Sequence, residues 1–288
     1  METWFLFGIL SYLSYAISTS IDKYMMNNRY DTIKTNTLKM FFDGIILLIA
    51  SSIFFNLQIT NNLIFGSLIL GSIYAFSGIF YFETLNLKDV SSIVPYYSSA
   101  ALLFVFFGSI VFFNEIVNIF NYLGIAAIII GIYLVLSETG LKLPRKDKGL
   151  IYATIIIISS VLYSLLTKLF LNDIEPMALA ICMYFSATLF LILYLHIFKK
   201  ENLKQITHYK MYKKQIKNIF IASIFGALGT FLLYYALSIG NASKVYPLVG
   251  LQMIFIFMIA TIMLKEQFKW HKLIGILTIA IGIFLISI

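Results

Sequence analysis

A chain of 288 residues that is 60% hydrophobic and only 12% charged holds about half the charge of a soluble domain and more apolar surface than one soluble core can bury. Its net charge of +8 invites a nucleic-acid reading, but the basic residues cluster at the ends of long apolar runs, which argues for a bilayer and against nucleic acid. The single cysteine, Cys182, excludes an intramolecular disulfide framework.

Apolar runs long enough to cross a bilayer, about 20 residues each, recur from end to end. They cover 4–24, 35–55, 62–86, 91–112, 119–137, 150–170, 176–198, 218–239, 243–264 and 271–288. Lipid offers no hydrogen-bond partners, so these spans must be helices, and the short alternating segments of a β-barrel are absent. The sequence therefore predicts an all-α integral membrane protein of ten transmembrane helices. The first run has no basic n-region and no clear cleavage site, so it reads as an anchored helix. Pro144 lies in the likeliest hinge, residues 141–148, and Pro176 suits the first turn of the seventh helix.

The connections assign the sides. Odd-numbered connections hold all the basic residues except Lys168 and Lys244. By the positive-inside rule the odd loops are cytoplasmic and both termini lie outside a plasma (cell inner) membrane. The basic run between Lys199 and Lys217 fits a loop that fixes this orientation, although anionic headgroups or RNA would also suit it.

Two stretches share one plan. Val90-Ser91-Ser92-Ile93-Val94-Pro95 leads through an apolar run to Glu115, Gly124 and Gly131. Ala242-Ser243-Lys244-Val245-Tyr246-Pro247 leads likewise to Glu266, Gly275 and Gly282. The prolines are offset by 152 and the other three pairs by 151. Five helices per copy is an odd number, so the second copy inserts upside down. The reading is two inverted five-helix repeats, 1–140 and 149–288, joined by a cytoplasmic hinge.

This plan resembles the EamA domain of the drug/metabolite transporter superfamily, most clearly in Ala242-x-x-x-x-Pro247, Lys265-Glu266, Gly275 and Gly282. The first copy departs from it at Val90, where a small residue is usual. The resemblance implies alternating access in the plasma membrane, with a small-molecule substrate held between helices one, three, four, six, eight and nine.

Candidate residues follow. Glu83 is the deepest carboxylate of helix three; it takes a proton or a substrate ammonium, or else pairs with Lys88. Tyr96, Tyr97 and Ser99 gather beside Pro95, and Tyr246 and Gln252 beside Pro247, where missing backbone donors permit kinks. Tyr163 and Tyr235 add phenols on helices six and eight, against the alternative of an interfacial belt. Lys23 and Lys168 align between the copies and could grip a substrate carboxylate. Asp43 with Lys39, and Asp22 with Lys23, read as local ion pairs. Glu115 and Glu266 serve as gates, Glu266 with Lys265 or Lys269, or simply mark the water interface. The paired glycines admit close helix packing.

The middles of helices one and six carry no carboxylate, which disfavours cation/proton exchange through helix one. No hydrolase, phosphate-binding or metalloenzyme motif appears, so no enzyme, cofactor or metal is expected. The function expected is a secondary transporter of a small neutral or zwitterionic, amino-acid-like metabolite, with protons as a possible coupling ion. A nucleotide-sugar or lipid-linked sugar carrier is the alternative within transport, and an intramembrane lipid-modifying enzyme the alternative outside it.

Overall fold

The computed structural model describes residues 3–52, 60–113, 118–137, 147–171, 173–200, 213–239, 245 and 248–286. Among these there are ten helices and no strands. In chain order they are α1 (Thr3–Asn27), α2 (Thr32–Ser51), α3 (Asn61–Leu87), α4 (Val90–Phe113), α5 (Ile119–Leu136), α6 (Lys148–Phe170), α7 (Pro176–Phe198), α8 (Lys213–Ile239), α9 (Val249–Ile262) and α10 (Trp270–Ile286).

Seven of them, α1 and α3 to α8, are long and apolar enough to cross a membrane. The expectation of ten spans is met more narrowly because α9 and α10 are apolar but have only 14 and 17 described residues. Helix α2 is 20 residues long but carries Lys34, Lys39 and Asp43. Pro247, Tyr246, Glu115 and most of the 141–148 hinge lie outside the described residues.

The helix starts are written locally. Free N–H groups of each first turn need acceptors, and Asp31, Thr60, Asn118, Asp147 and Glu175 supply them to α2, α3, α5, α6 and α7. Pro176 takes the first turn of α7, where its missing N–H is harmless. Helix α1 ends in a Schellman turn: Tyr30 N–H reaches Met25 O at 3.2 Å and Arg29 N–H reaches Met26 O at 2.9 Å. Arg29 holds the left-handed position, at φ 58°.

Helix α7 is the most enclosed, packed against α2 and α3 through Met177, Ile181, Tyr184, Ala187 and Leu191. Helix α1 lies along α8, and α3 along α6. Helices α5 and α10 form the tightest pair, and the duplicated glycines explain it. They meet one another in antiparallel order, Gly124 against Gly282 and Gly131 against Gly275. A Cβ on Gly131 would stand 2.6 Å from Gly275 O and 2.9 Å from Ile279 N. Without a hydrophobic drive between helices in lipid, this backbone proximity is what holds them.

Gly131→Ala should therefore cost about 1–3 kcal/mol of stability, read as thermal unfolding of the purified protein in detergent. Gly66→Ala, which meets only Phe170 and Ile174 side-chain atoms at 3.1–3.4 Å, should cost less. Equal losses would contradict the packing account.

Candidate functional site

A polar centre lies between α1, α2, α3, α7 and α8. Ser11, Tyr15, Ser18 and Asp22 recur on one face of α1 at the spacing of helical turns. Ser11 donates to Gly229 O (2.7 Å), Ser18 to Ala222 O (2.8 Å) and Tyr15 to Thr230 Oγ1 (3.0 Å). Thr230 also lies 3.2 Å from Tyr184 Oη. These bonds lace α1 to α8 and bring α7 to the same point. Tyr74 stands edge-on to Tyr184 at 5.8 Å and tilted against Tyr163 at 5.7 Å. Tyr15, Tyr74 and Tyr163 are half-buried.

On α2, Asn36, Lys39 and Asp43 share the face turned to this centre. Lys39 Nζ bonds Asp22 Oδ2 at 2.6 Å, and Tyr81 Oη donates to the same oxygen at 2.9 Å. Asp22 is 0%, Asp43 2% and Lys39 8% exposed. This overturns the expected local pairs. Neighbouring residues such as Asp22 and Lys23 point to different faces of a helix, and Lys39 finds a better-aligned carboxylate on α1 than on its own helix. Asp43 lies one turn, about 6 Å, along α2 from Lys39. Its oxygens are 3.3 and 3.4 Å from where a Cβ on Gly226 would stand, and Ser18 Oγ is 3.4 Å from that point. Glycine there lets α8 close over the carboxylate.

One end of the bundle is tied shut by a second set of contacts. Lys23 Nζ donates to Leu85 O (2.7 Å) and Lys88 O (2.8 Å), closing the C-terminus of α3. Lys88 bonds Asp147, the cap of α6. Lys272 reaches Asp89 at 3.3 Å. Glu266 accepts from Val90 N (2.8 Å), Ser91 N (3.2 Å) and Ser91 Oγ. The glutamate thus caps α4 instead of pairing with Lys265 or Lys269, because a helix N-terminus offers free N–H groups and a positive dipole end. Lys265, at φ 57°, turns the chain just before it.

Asp147 lies outside the spans. Partial desolvation pushes its carboxyl up, but hydrogen bonds from Lys88 and from the Leu150 and Gly149 amides hold it below the ordinary 3.8. A lowered carboxyl stabilises the fold above its ordinary value, and that contribution is lost as pH falls through the lowered one.

The other sequence candidates are scattered. Glu83 accepts from Thr32 Oγ1 at 2.7 Å near the tied end, and Lys88 is engaged elsewhere. Tyr97 stacks edge-on against Tyr81 at 6.5 Å, at the margin of the centre. Tyr96 is half-buried in the packing around α4 and α6. Ser99 turns its hydroxyl back to Pro95 O. Tyr235 stacks on Phe7 at 4.8 Å, and Gln252 is half-buried on α9. Lys168 is exposed at the end of α6 while Lys23 is buried, so the two lysines do not converge. Of the candidates among the described residues, Tyr163 alone stands at the polar centre. Among the described residues no group of His, Cys, Asp and Glu could hold a metal ion.

Lys39→Met should leave two carboxylates in the bundle without their cation and cost about 3–5 kcal/mol. Adding Asp22→Asn should restore part of that loss. A double-mutant cycle on denaturant unfolding reads both; strict additivity would show that the pair does not interact.

Comparison with known proteins then places the chain. Over 68 residues, 24% of its length, it is 40% identical to an uncharacterized protein of Methanocaldococcus jannaschii, spanning half of that relative. A protein of known crystal structure superposes over 97% of this chain and 94% of its own with a TM-score of 0.65 at 14% identity, a likeness of fold. The profile of the EamA-like transporter family matches residues 2–137 and 147–288. The protein is a multi-pass membrane protein and belongs to the EamA-like transporter family.

Proposed function

We propose that the protein is a secondary transporter that moves a small neutral or zwitterionic, amino-acid-like metabolite by alternating access between two inverted five-helix repeats, 1–140 and 149–288. The observation that carries this reading is the enclosed polar centre. Polar and charged groups inside a bilayer are costly and are kept where a substrate or ion passes. Here Tyr15, Tyr74, Tyr163, Tyr184 and Thr230 present hydroxyls suited to a neutral or zwitterionic solute, with Asp43 beside them for an ammonium.

Several features support the inverted arrangement. Exchanging each helix for the one five places on carries the closest pairings into one another: α1 with α8 becomes α6 with α3, and α4 with α6 becomes α9 with α1. The antiparallel glycine contact of α5 with α10 maps onto itself. Charge placement supports odd loops in the cytoplasm and both termini outside; in this reading the membrane is the plasma membrane.

In this reading the tied end is the cytoplasmic gate. Glu266 of the second repeat grips α4 of the first, Lys272–Asp89 also joins the two repeats, and Lys88–Asp147 ties the first to the hinge residue that caps α6. Opening inward requires these contacts to part while α5 and α10 stay together as the axis. A sugar-nucleotide cargo suits the centre poorly, since its one cation, Lys39, is already bonded to Asp22 and the second carboxylate would repel phosphate.

Counterflow in proteoliposomes, loaded in turn with amino acids, nucleobases, sugars or sugar nucleotides, tests the reading. Amino acids should exchange, and Thr230→Val should reduce exchange about tenfold by removing a buried hydrogen-bonding group. Exchange of sugar nucleotides alone would overturn the substrate class. Cysteines placed at residues 1 and 288 in a Cys182→Ser background should react with an impermeant maleimide on intact cells; reaction only after permeabilisation would reverse the topology.

A further inference from the structure

Two carboxylates and one ammonium are buried together in the polar centre, and they are answered unequally. Asp22 has Lys39 and Tyr81 on Oδ2 and, like Asp43, no partner on Oδ1. Asp43 has the Ser223 hydroxyl nearby, which also lies 3.2 Å from Lys39 O, and its Oδ1 has no partner. Fully ionised, the three groups leave one net negative charge among helices that cross a bilayer. Such a charge must be neutralised by a bound cation or a proton.

The groups facing Asp43 narrow the choice. Asp22 comes from α1, Lys39 from its own helix, Tyr74 from α3 and Tyr184 from α7, while Tyr15 of α1 faces those two phenols and Tyr81 of α3 bonds Asp22. Tyr97 of α4 lies within reach of Asp22, and α8 offers only Ser223 and Gly226. A metal cation needs about six oxygen ligands, whereas most of the oxygens here are already engaged with one another. A proton needs only the free carboxylate. Asn36 is an independent sign that this face is built to receive something. It lies three residues before Lys39, is 0% exposed against Gly78, and neither atom of its amide is bonded.

We propose that Asp43 is a proton-binding site in the polar centre, with Asp22 and Lys39 as its charge-setting partners, and that this proton is the coupling ion. Asp22 stays ionised against Lys39. Asp43 takes up the proton and gives it back, switching the centre between neutral and singly negative. In the negative state a substrate ammonium can replace the proton, so the two exchange across the membrane. The coupling role rests on the transporter reading; the protonation does not.

Infrared difference spectra of the full-length protein in lipid, recorded through a pH titration, test the site directly. The wild type should show the C=O stretch of a protonated, dry carboxyl that is lost as the pH is raised. Asp43→Asn should abolish that band. Asp22→Asn should shift its midpoint to lower pH, because Lys39 then serves Asp43 alone. Persistence of the band in Asp43→Asn, its absence from the wild type, or its displacement by sodium at fixed pH would each overturn the proposal. A failed counterflow assay with the band intact would instead sink the transporter reading, so the two failures are distinguishable.

Discussion

Lipid answers no hydrogen bond, so every polar side chain in this bundle must be met from within it. The whole arrangement follows from that constraint. The serines of α1 reach the carbonyls of α8, Lys23 closes the end of α3, and Glu266 closes the start of α4. Each contact joins elements far apart in sequence, so the same bonds that satisfy polar groups also fix which helices lie together. Among the described residues the unanswered atoms include Asp22 Oδ1, Asp43 Oδ1 and both amide atoms of Asn36, which fall together in the polar centre.

The glycine contacts provide the complementary rigidity. Helices α5 and α10 approach until backbone meets backbone, a contact that tolerates little sliding. The ties at the other helices are single charged or capping bonds at one end of the bundle. A pair that cannot slide, beside helices joined by a few breakable bonds, is a division of labour suited to rocking about an axis.

The fold was legible because its signals are strong and repetitive. Ten helices fall on the ten apolar runs, seven of them long and apolar enough to cross a membrane, and Pro176 takes the first turn of α7 as expected. The duplicated glycines were read as packing residues, but that they would pack on each other required the third dimension. The centre was less legible. Glu83 drew notice as the deepest carboxylate of its helix and the tyrosines because they sit beside Pro95, whereas Asp22, Lys39 and Asp43 looked like self-contained pairs. Ion-pair choice depends on which neighbouring helix supplies the better geometry, and spacing along one helix does not encode that. A signal was present nonetheless: Asn36, Lys39 and Asp43 form a polar stripe on one face of an otherwise apolar helix, and Ser11, Tyr15, Ser18 and Asp22 form another. Two such stripes mark an interior face. The absence of a mid-helix acid in α1 concealed that α2 carries one.

The central claim is that the cytoplasmic end must open for transport, with Glu266 and the start of α4 as its moving contact. Replacing Ser91 and Glu266 with cysteine, in a chain freed of Cys182, allows that contact to be locked by oxidation. The account predicts that oxidised proteoliposomes lose counterflow and regain it on reduction. Undiminished counterflow while the cross-link is intact would contradict it.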